Sequence, residues 1–322
     1  TLEWNRRQRQ MCIRDSSLIV NAVDSPKADD PGGLTGEQVR RDRRQASPRN
    51  LLFDTGEELD QQKLGLIYRR SFGEKHQISA RNYYVLRDFE NCLPFVEGGS
   101  VELDRFFAGG GLQYSYADTV LGADAALVAG FDIDAQRDDR RRFDNLFGSR
   151  GAVTLDQDED VTAYGAYAQT RGQLPWNLEL SGGLRYDRVI FQVDDHFPAD
   201  GDQSDRIHFD QLSPAVALVW SPIPELNAYA NVSTSFETPT TTELANPFGT
   251  GGFNPDLDSQ KAINYEIGLK GLMPGRLRYD MALFRIEVDD ELVPFEKPDL
   301  PERSFFRNAG RSIRNGLEVG LS

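Results

Sequence analysis

Three arginines are the clearest side chains with which this chain could bind an anion or a carboxylate. Arg69, Arg81 and Arg185 occupy polar positions in segments where polar and apolar residues alternate. One guanidinium group can form two parallel charge-assisted hydrogen bonds to one carboxylate, so each arginine is a candidate for holding an anionic ligand or an acidic partner. The alternative is that all three only contribute to the polar side of a large sheet. The sequence leaves both interpretations open.

The remaining chemically active residues do not form a recognisable site. His76, His196 and His208 are scattered, and no Cys/His spacing typical of zinc is present. The acidic run 156–160 lacks an EF-hand pattern, which favours a solvated loop over a Ca²⁺ site. No Walker loop, metalloprotease helix or Gly-x-Ser-x-Gly elbow occurs. We therefore expect no enzyme, with no catalytic residue, no metal site and no cofactor.

Alternation of period two dominates the chain and predicts β-strands that would position these side chains. Within 176–187 the leucines and Tyr186 share one side, whereas a helix would scatter them. The segment 276–290 carries two apolar phases, which predict a β-bulge near Leu283. The twelve predicted strands are approximately 17–23, 61–71, 75–88, 99–116, 119–136, 159–172, 177–193, 207–221, 225–237, 259–271, 276–290 and 304–322.

The links between these strands alternate between short and long. The short links are 72–74, 117–118, 173–175, 222–224 and 272–275, and most contain Gly or Pro. The long links are about 24–60, 89–98, 137–158, 194–206, 238–258 and 291–303. Short turns at one end and long polar loops at the other are typical of an outer-membrane barrel. The fold class predicted is all-β, an antiparallel transmembrane β-barrel in contact with outer-membrane lipid.

Composition agrees with this class and excludes others. The chain has 322 residues, 39% hydrophobic residues and a formal net charge of −15. The negative charge argues against nucleic acid as a partner, because phosphate binding needs a basic surface. No apolar run is long enough for a transmembrane helix. A membrane barrel needs apolar residues only at alternate positions, so a low mean hydropathy is compatible with it.

Several motifs in residues 17–322 resemble the barrel domain of TonB-dependent outer-membrane receptors. The first is the pair of segments 29–35 and 50–57, similar to an early barrel loop of iron-chelate receptors. The second and third are a paired loop motif and a late-barrel signature. The residues that carry these two motifs are Phe236, Pro239, Asn254, Pro255 and Leu257, and then Asn308, Gly310, Gly316 and Glu318.

The resemblance implies a receptor that imports a scarce nutrient through a plugged barrel with energy from TonB. It implies about 22 strands, of which twelve are predicted in this chain, so we expect a partial barrel domain with the plug and the TonB box outside it. Haem receptors of this family carry a histidine between the paired motifs, and 240–253 contains none. The expected ligand is therefore a ferric siderophore or another iron chelate.

Two further expectations concern the start of the chain and the competing functions. Residues 10–16 resemble a translated sequencing-adaptor tail, so we expect 1–16 to be non-native and the barrel domain to cover 17–322. A passive porin-like channel would share the strand pattern but lack the paired motifs. A soluble β-rich glycan-binding module would bury its apolar face instead of presenting it to lipid.

Overall fold

The computed structural model describes residues 14–120, 122–247, 251–273, 275, 277–298 and 300–322. One antiparallel sheet of twelve strands dominates it, and almost every strand pairs with its neighbours along the chain. The all-β antiparallel fold class is thereby confirmed. Within the described residues, β1 and β14 are the two edges of the sheet, which is not closed. The expected total of 22 strands stays a prediction.

The sheet contains strands β1 to β11 in chain order, followed by β14, while β12 and β13 form a separate hairpin. Two short helices, α1 (Gly36–Arg41) and α2 (Pro48–Leu52), lie between β1 and β2. The strands are β1 (Arg14–Asp29), β2 (Gly56–Phe72), β3 (His76–Cys92), β4 (Ser100–Val120), β5 (Ala123–Asn145), β6 (Arg150–Leu174), β7 (Leu178–Asp195), β8 (Asp205–Ile223), β9 (Leu226–Glu237), β10 (Gln260–Met273), β11 (Leu277–Asp289), β12 (Leu292–Lys297), β13 (Leu300–Asn308) and β14 (Arg311–Leu321).

Strand register sorts the side chains onto two faces across the whole sheet. Residues directly opposite in neighbouring strands share a face, so the pairs Leu64–Tyr84 and Ile267–Leu283 belong to one side. This side, here called the apolar face, is solvent-exposed and includes Leu64, Leu66, Tyr84, Leu112, Phe131, Leu184, Val216, Ile267, Leu283 and Leu317. An exposed apolar surface of this extent indicates contact with lipid or protein. The opposite side is called the polar face.

The two ends of the sheet differ in their links. At the turn end, tight connections such as 73–75, 175–177 and 224–225 join consecutive strands. At the loop end the links are 30–55, 93–99, 146–149, 196–204, 238–259 and 290–310, the last containing the β12–β13 hairpin. The predicted loop 137–158 is mostly strand, because β5 and β6 pair almost to their tips and leave only 146–149 as a turn.

Two sequence-based expectations about strands are wrong. The predicted strand 304–322 is two strands, because Gly310 adopts a left-handed φ of 65° and only β14 joins the sheet. The expected bulge near Leu283 does not occur, since β11 pairs in unbroken register with β10 and β14. The second apolar phase of β11 lies on the polar face instead, where Val288 is buried.

The start of the chain is only partly described. Residues 1–13 of the expected non-native tail 1–16 lie outside the described residues. Arg14, Asp15 and Ser16 are the first residues of β1 and pair with Arg70, Arg69 and Tyr68 of β2. In the described part of the chain, neither the length nor the apolar content of any helix suffices to cross a membrane.

Candidate functional site

An ion-pair network on the polar face connects two of the three predicted arginines. Arg81 Nη2 donates to Asp132 Oδ1 at 2.8 Å, and Arg185 Nη1 donates to Asp132 Oδ2 at 3.2 Å. Arg185 also donates from Nε to Asp187 Oδ1 at 2.8 Å. The network therefore spans β3, β5 and β7, three strands that are not adjacent, through a single shared carboxylate.

Glycines on the intervening strands make this network possible. Register places Arg81, Gly111, Asp132, Gly165 and Asp187 in one row across β3 to β7. A methyl group at Gly111 would collide with the Asp132 carboxylate and lie 3.1 Å from Arg81 Nε. A methyl group at Gly165 would collide with the Arg185 guanidinium. The charged side chains can thus lie across neighbouring strands because these two positions lack a side chain.

The two arginines differ in how many of their donors are used. Arg185 directs Nε, Nη1 and Nη2 to Asp132 and Asp187. Arg81 gives one N–H to Asp132, and its side chain is 59% exposed, whereas that of Asp132 is only 12% exposed. Arg81 consequently presents guanidinium donors to the open side of the polar face, where an anion could accept two hydrogen bonds at once.

Arg69 does not join this network. It lies on the same face of β2, but its Nη1 is 3.8 Å from Asp15 Oδ2 of β1, and both side chains are exposed. Sequence inspection missed Asp132, Asp187 and the two glycines, because only the strand register shows that they share a row with Arg81. The weak signal in the sequence was the occurrence of glycines and aspartates at the polar phase of β4 to β7.

The second candidate region lies at the loop end, where link 238–259 and the hairpin fold over the polar face of β6 to β8. We call it the second loop cluster. Leu244 is fully buried and Phe253 and Leu257 nearly so, packed with Phe191 and Phe209 of the sheet. Val193 completes the buried set, with Val161, Val189, Ile207, Leu292 and Phe306 partly buried against it. The polar face is therefore apolar at this end and covered by a packed loop.

Three of the residues that carry the sequence resemblance, Asn254, Leu257 and Asn308, meet in this cluster. The backbone N–H of Asn254 donates to Leu244 O at 2.8 Å, and its side-chain amide donates to Phe306 O at 3.4 Å. Asn308 accepts from the backbone N–H of Asp258 at 2.8 Å and donates to Asp258 O at 3.0 Å. These asparagines join link 238–259 to β13, so the two motifs form one structural unit.

The other motif residues have separate positions. Pro239 is fully buried in link 238–259, Pro255 is exposed, and Phe236 is half-buried near the end of β9. Gly310 forms the turn from β13 to β14. On β14, Gly316 leaves room for the Phe284 ring, and Glu318 pairs in register with Ala282. Packing accounts for Pro239 and Gly316, and turn geometry accounts for Gly310.

A different arrangement occurs at the loop end of β1 to β6, which we call the first loop cluster. Asn145 is 1% exposed, and its side-chain amide donates to Phe53 O at 3.0 Å and to Leu93 O at 2.9 Å. Its Oδ1 accepts from Gly148 N at 2.7 Å. One asparagine thus joins links 30–55, 93–99 and 146–149. The early-loop motif contributes Phe53, whose ring is 5.2 Å from that of Phe147.

The three histidines are dispersed over the sheet. His76 Nδ1 lies 2.7 Å from the Tyr114 hydroxyl at the turn end. His196 Nε2 is 3.6 Å from Asp158 Oδ2, and His208 Nε2 is 3.5 Å from Asp210 Oδ2. In the described part of the chain, no group of three or more His, Cys, Asp or Glu side chains could hold a metal ion.

Comparison with known proteins identifies the family to which this architecture belongs. The family model described as TonB dependent receptor-like, beta-barrel, matches residues 13–322. The chain belongs to the TonB-dependent receptor β-barrel family. In this receptor barrel, most of the residues on which the sequence resemblance rests lie in the two loop clusters rather than in the ion-pair network.

Solved structures show the same fold. The ferric citrate transporter FecA in the unliganded form matches with a TM-score of 0.77 and 17% identity, covering 95% of this chain and 45% of that chain. The alcaligin outer membrane receptor FauA from Bordetella pertussis gives 0.62 and 18%, covering 83% and 44%. The Serratia marcescens hemophore receptor HasR gives 0.57 and 17%, covering 83% and 49%. The chain thus spans less than half the length of these receptors.

Proposed function

We propose that this receptor barrel belongs to an outer-membrane transporter that imports a ferric siderophore or a similar iron chelate, driven by TonB. The observation that carries the proposal is the family match over residues 13–322. The exposed apolar face would contact lipid, and the polar face would line the lumen. The plug and the TonB-binding segment that such transport needs would belong to other parts of the receptor.

Chelated iron is favoured over haem as the ligand. The segment 240–253 between the paired motifs contains no histidine. The polar face offers the exposed Arg81 guanidinium, whose donors suit the carboxylates or other oxygens of an anionic chelate or of a plug side chain. The likenesses to a ferric citrate transporter, an alcaligin receptor and a hemophore receptor, all at 17–18% identity, concern the fold and do not separate the two ligand classes.

Uptake of labelled iron tests the proposal directly. The whole receptor would be expressed in a strain that lacks its own iron-chelate receptors, and growth and ⁵⁵Fe uptake would be measured with ferric citrate, a hydroxamate, a catecholate and haem. We expect uptake of at least one chelate, lost on deletion of tonB. Solute leakage that is independent of TonB would instead support a passive porin, and uptake of haem alone would overturn the ligand class.

Matched arginine variants test the role of the polar face. Arg81→Gln removes the exposed guanidinium of the network, and Arg69→Gln removes an exposed guanidinium outside it, 3.8 Å from Asp15 Oδ2. Loss of a charge-assisted hydrogen bond costs about 1.5–3 kcal/mol, so we expect roughly tenfold weaker chelate binding or more for Arg81→Gln. Arg69→Gln should stay near the wild-type value. Equal effects of both variants would show that general lumen charge, rather than Arg81, matters.

A further inference from the structure

The polar face of β2 to β4 concentrates positive charge. Within the described stretch 59–119, the strand positions of this face hold no carboxylate but five cations, namely Lys63, Arg69, Arg81, Arg87 and Arg105. Strand β5 supplies counter-charges for two of them, since Asp132 accepts from Arg81 and Asp138 accepts from Arg105. The charge of this part of the face is therefore only partly balanced.

Arg87 lies beside another arginine and is held by a neutral group. It pairs in register with Arg105 of β4, and like charges directly opposite each other in neighbouring strands are destabilising. Arg105 donates to both oxygens of Asp138, at 2.7 and 2.6 Å, and Asp138 is only 1% exposed, so this carboxylate is not available to Arg87. Arg87 instead donates from Nε and Nη2 to Gln61 Oε1 at 2.9 and 2.6 Å. The amide oxygen fixes the guanidinium group without neutralising it.

Lys63 adds a second cation beside Arg87. Gln61 of β2 lies opposite Arg87, and Lys63 lies opposite Val85, so Lys63 and Arg87 are diagonal neighbours on one face. Long side chains at such diagonal positions are within reach of each other. Among the described residues, neither cation forms an ion pair with a carboxylate, and Lys63 is exposed. Two neighbouring cations without a counter-charge are suited to bind an anion.

This pair of cations lies between the first loop cluster and the ion-pair network. Arg87 and Arg81 both lie on the polar face of β3, about 20 Å apart along the strand. Register places Lys63 in one row with Val85, Phe107, Gln136, Val161 and Phe191. At the β7 end of this row Phe191 is buried beneath the second loop cluster, whereas at the β2 end Lys63 is exposed. An anion that approaches from the loop end would therefore meet apolar packing on one side and two cations on the other.

We propose that Lys63 and Arg87 form an anion-binding position on the route of an anionic iron chelate from the first loop cluster to Arg81. The proposal rests on the proposed import function and narrows its ligand class to chelates that present carboxylates or other oxyanions. Arg87, held by Gln61, keeps its Nη1 donors for the anion, and Lys63 contributes a flexible point charge. The bound anion would also relieve the repulsion between Arg87 and Arg105.

Chelate binding by the whole purified receptor tests this position. Dissociation constants would be measured for ferric citrate and a ferric triscatecholate, which are anionic, and for ferrioxamine B, which is cationic. We expect the wild type to bind at least one anionic chelate, and Arg87→Gln to weaken that binding about tenfold or more through loss of a charge-assisted hydrogen bond. Arg87→Lys, which keeps the charge, should retain part of the affinity. Lys63→Gln should weaken binding by a smaller factor, which should shrink at about 1 M salt because exposed charges are then screened.

Arg171→Gln is the matched control, because Arg171 is exposed on the same face at the turn end of β6, opposite Ser181. It should bind the anionic chelate as the wild type does. Heat-modified migration in gels would verify that each variant folds. Binding of ferrioxamine B alone, or equal losses of affinity in Arg87→Gln and Arg171→Gln, would overturn the proposal.

An acidic side chain of the plug is the other source of the same oxyanion chemistry. If it occupied this position, Arg87→Gln would keep the wild-type affinity for the chelate but would lower the thermal stability of the receptor without ligand. That result would overturn the chelate as the occupant. A wild type that bound none of the three chelates would instead count against the proposed function itself.

Discussion

The two loop clusters both hold long links above the sheet, but they do so through different interactions. In the second cluster, Leu244, Phe253 and Leu257 pack on Phe191 and Phe209, which emerge from the polar face of β7 and β8. In the first cluster, the side-chain amide of one residue, Asn145, satisfies backbone groups of three links. The sheet causes the difference: near their loop ends β7 and β8 place Phe191, Val193 and Phe209 on the polar face, whereas the loop ends of β3 to β6 are rich in charged residues.

This difference has a mechanical consequence. Burial of apolar side chains is cooperative and non-directional, so the second cluster should unfold as one unit. Hydrogen bonds from one buried amide are directional, and removal of that amide leaves several carbonyl and N–H groups without partners. We therefore expect the second cluster to tolerate the loss of single hydrogen bonds and the first to tolerate the loss of single apolar contacts.

The largest effect is expected for Leu244→Ala in the second cluster. Leu244 is fully buried, and truncation of such a leucine typically costs about 2–5 kcal/mol through lost burial and the cavity left behind. Amide hydrogen exchange of segment 238–259 should then accelerate strongly. Leu51→Ala in the first cluster is the matched control, because Leu51 is 70% exposed and should change stability by no more than about 0.5 kcal/mol. A similar loss of free energy of unfolding in both variants would refute the proposed difference between the two clusters.

The next largest effect is expected for Asn145→Ala. The substitution removes two donors and one acceptor from a side chain that is 1% exposed. Phe53 O and Gly148 N lose their Asn145 partner, while Leu93 O keeps the N–H of Phe95. The free energy of unfolding should fall by about 1–3 kcal/mol. Limited proteolysis should show earlier cleavage in 30–55. Asn315→Ala is the control, because Asn315 of β14 is exposed. If this variant lost as much stability as Asn145→Ala, Asn145 would have no special role in the first cluster.

Sequence patterns could predict the sheet but not the covering of its loop end. Alternation in segments such as 176–187 depends only on neighbouring residues, so it located the strands well. Phe284, Ile286 and Val288 lie on the polar face of a strand in unbroken register, and alternation alone led to the wrong inference of a bulge. Likewise, Arg81 and Arg185 were recognisable as polar-face residues, but Asp132 joined them only through the register of five strands.

A smaller effect is expected when an asparagine is removed from the second cluster. Asn308→Ala breaks the bonds to Asp258 and the 2.7 Å bond from its amide to Asp290 O. The buried apolar set around Leu244, against which Leu292 and Phe306 pack, would still hold the hairpin, so the free energy of unfolding should fall by only about 1 kcal/mol. Hydrogen exchange should rise locally at 258 and 290, without release of 238–259. If Asn308→Ala lowered the free energy of unfolding more than Asn145→Ala does, the second cluster would depend more on single hydrogen bonds than the first, contrary to this expectation.

The smallest effect concerns acid sensitivity at the rim of the second cluster, in link 196–204. The backbone N–H of Ser204 donates to Asp202 Oδ1 at 2.9 Å and holds the pKa of that carboxyl below its usual value. A lowered pKa means that the charged carboxylate stabilises the folded link at neutral pH, and that this contribution disappears as the pH falls through that pKa.

Protection of the Ser204 amide, corrected for intrinsic exchange, should therefore drop between about pH 5 and pH 2. Asp202→Asn should give weak protection with little pH dependence, whereas Asp258→Asn, outside this link, should leave the drop unchanged. A drop of the same size in Asp202→Asn would assign the acid response to another carboxylate at this link, such as Asp195, which accepts from the N–H groups of Phe197 and Gln203.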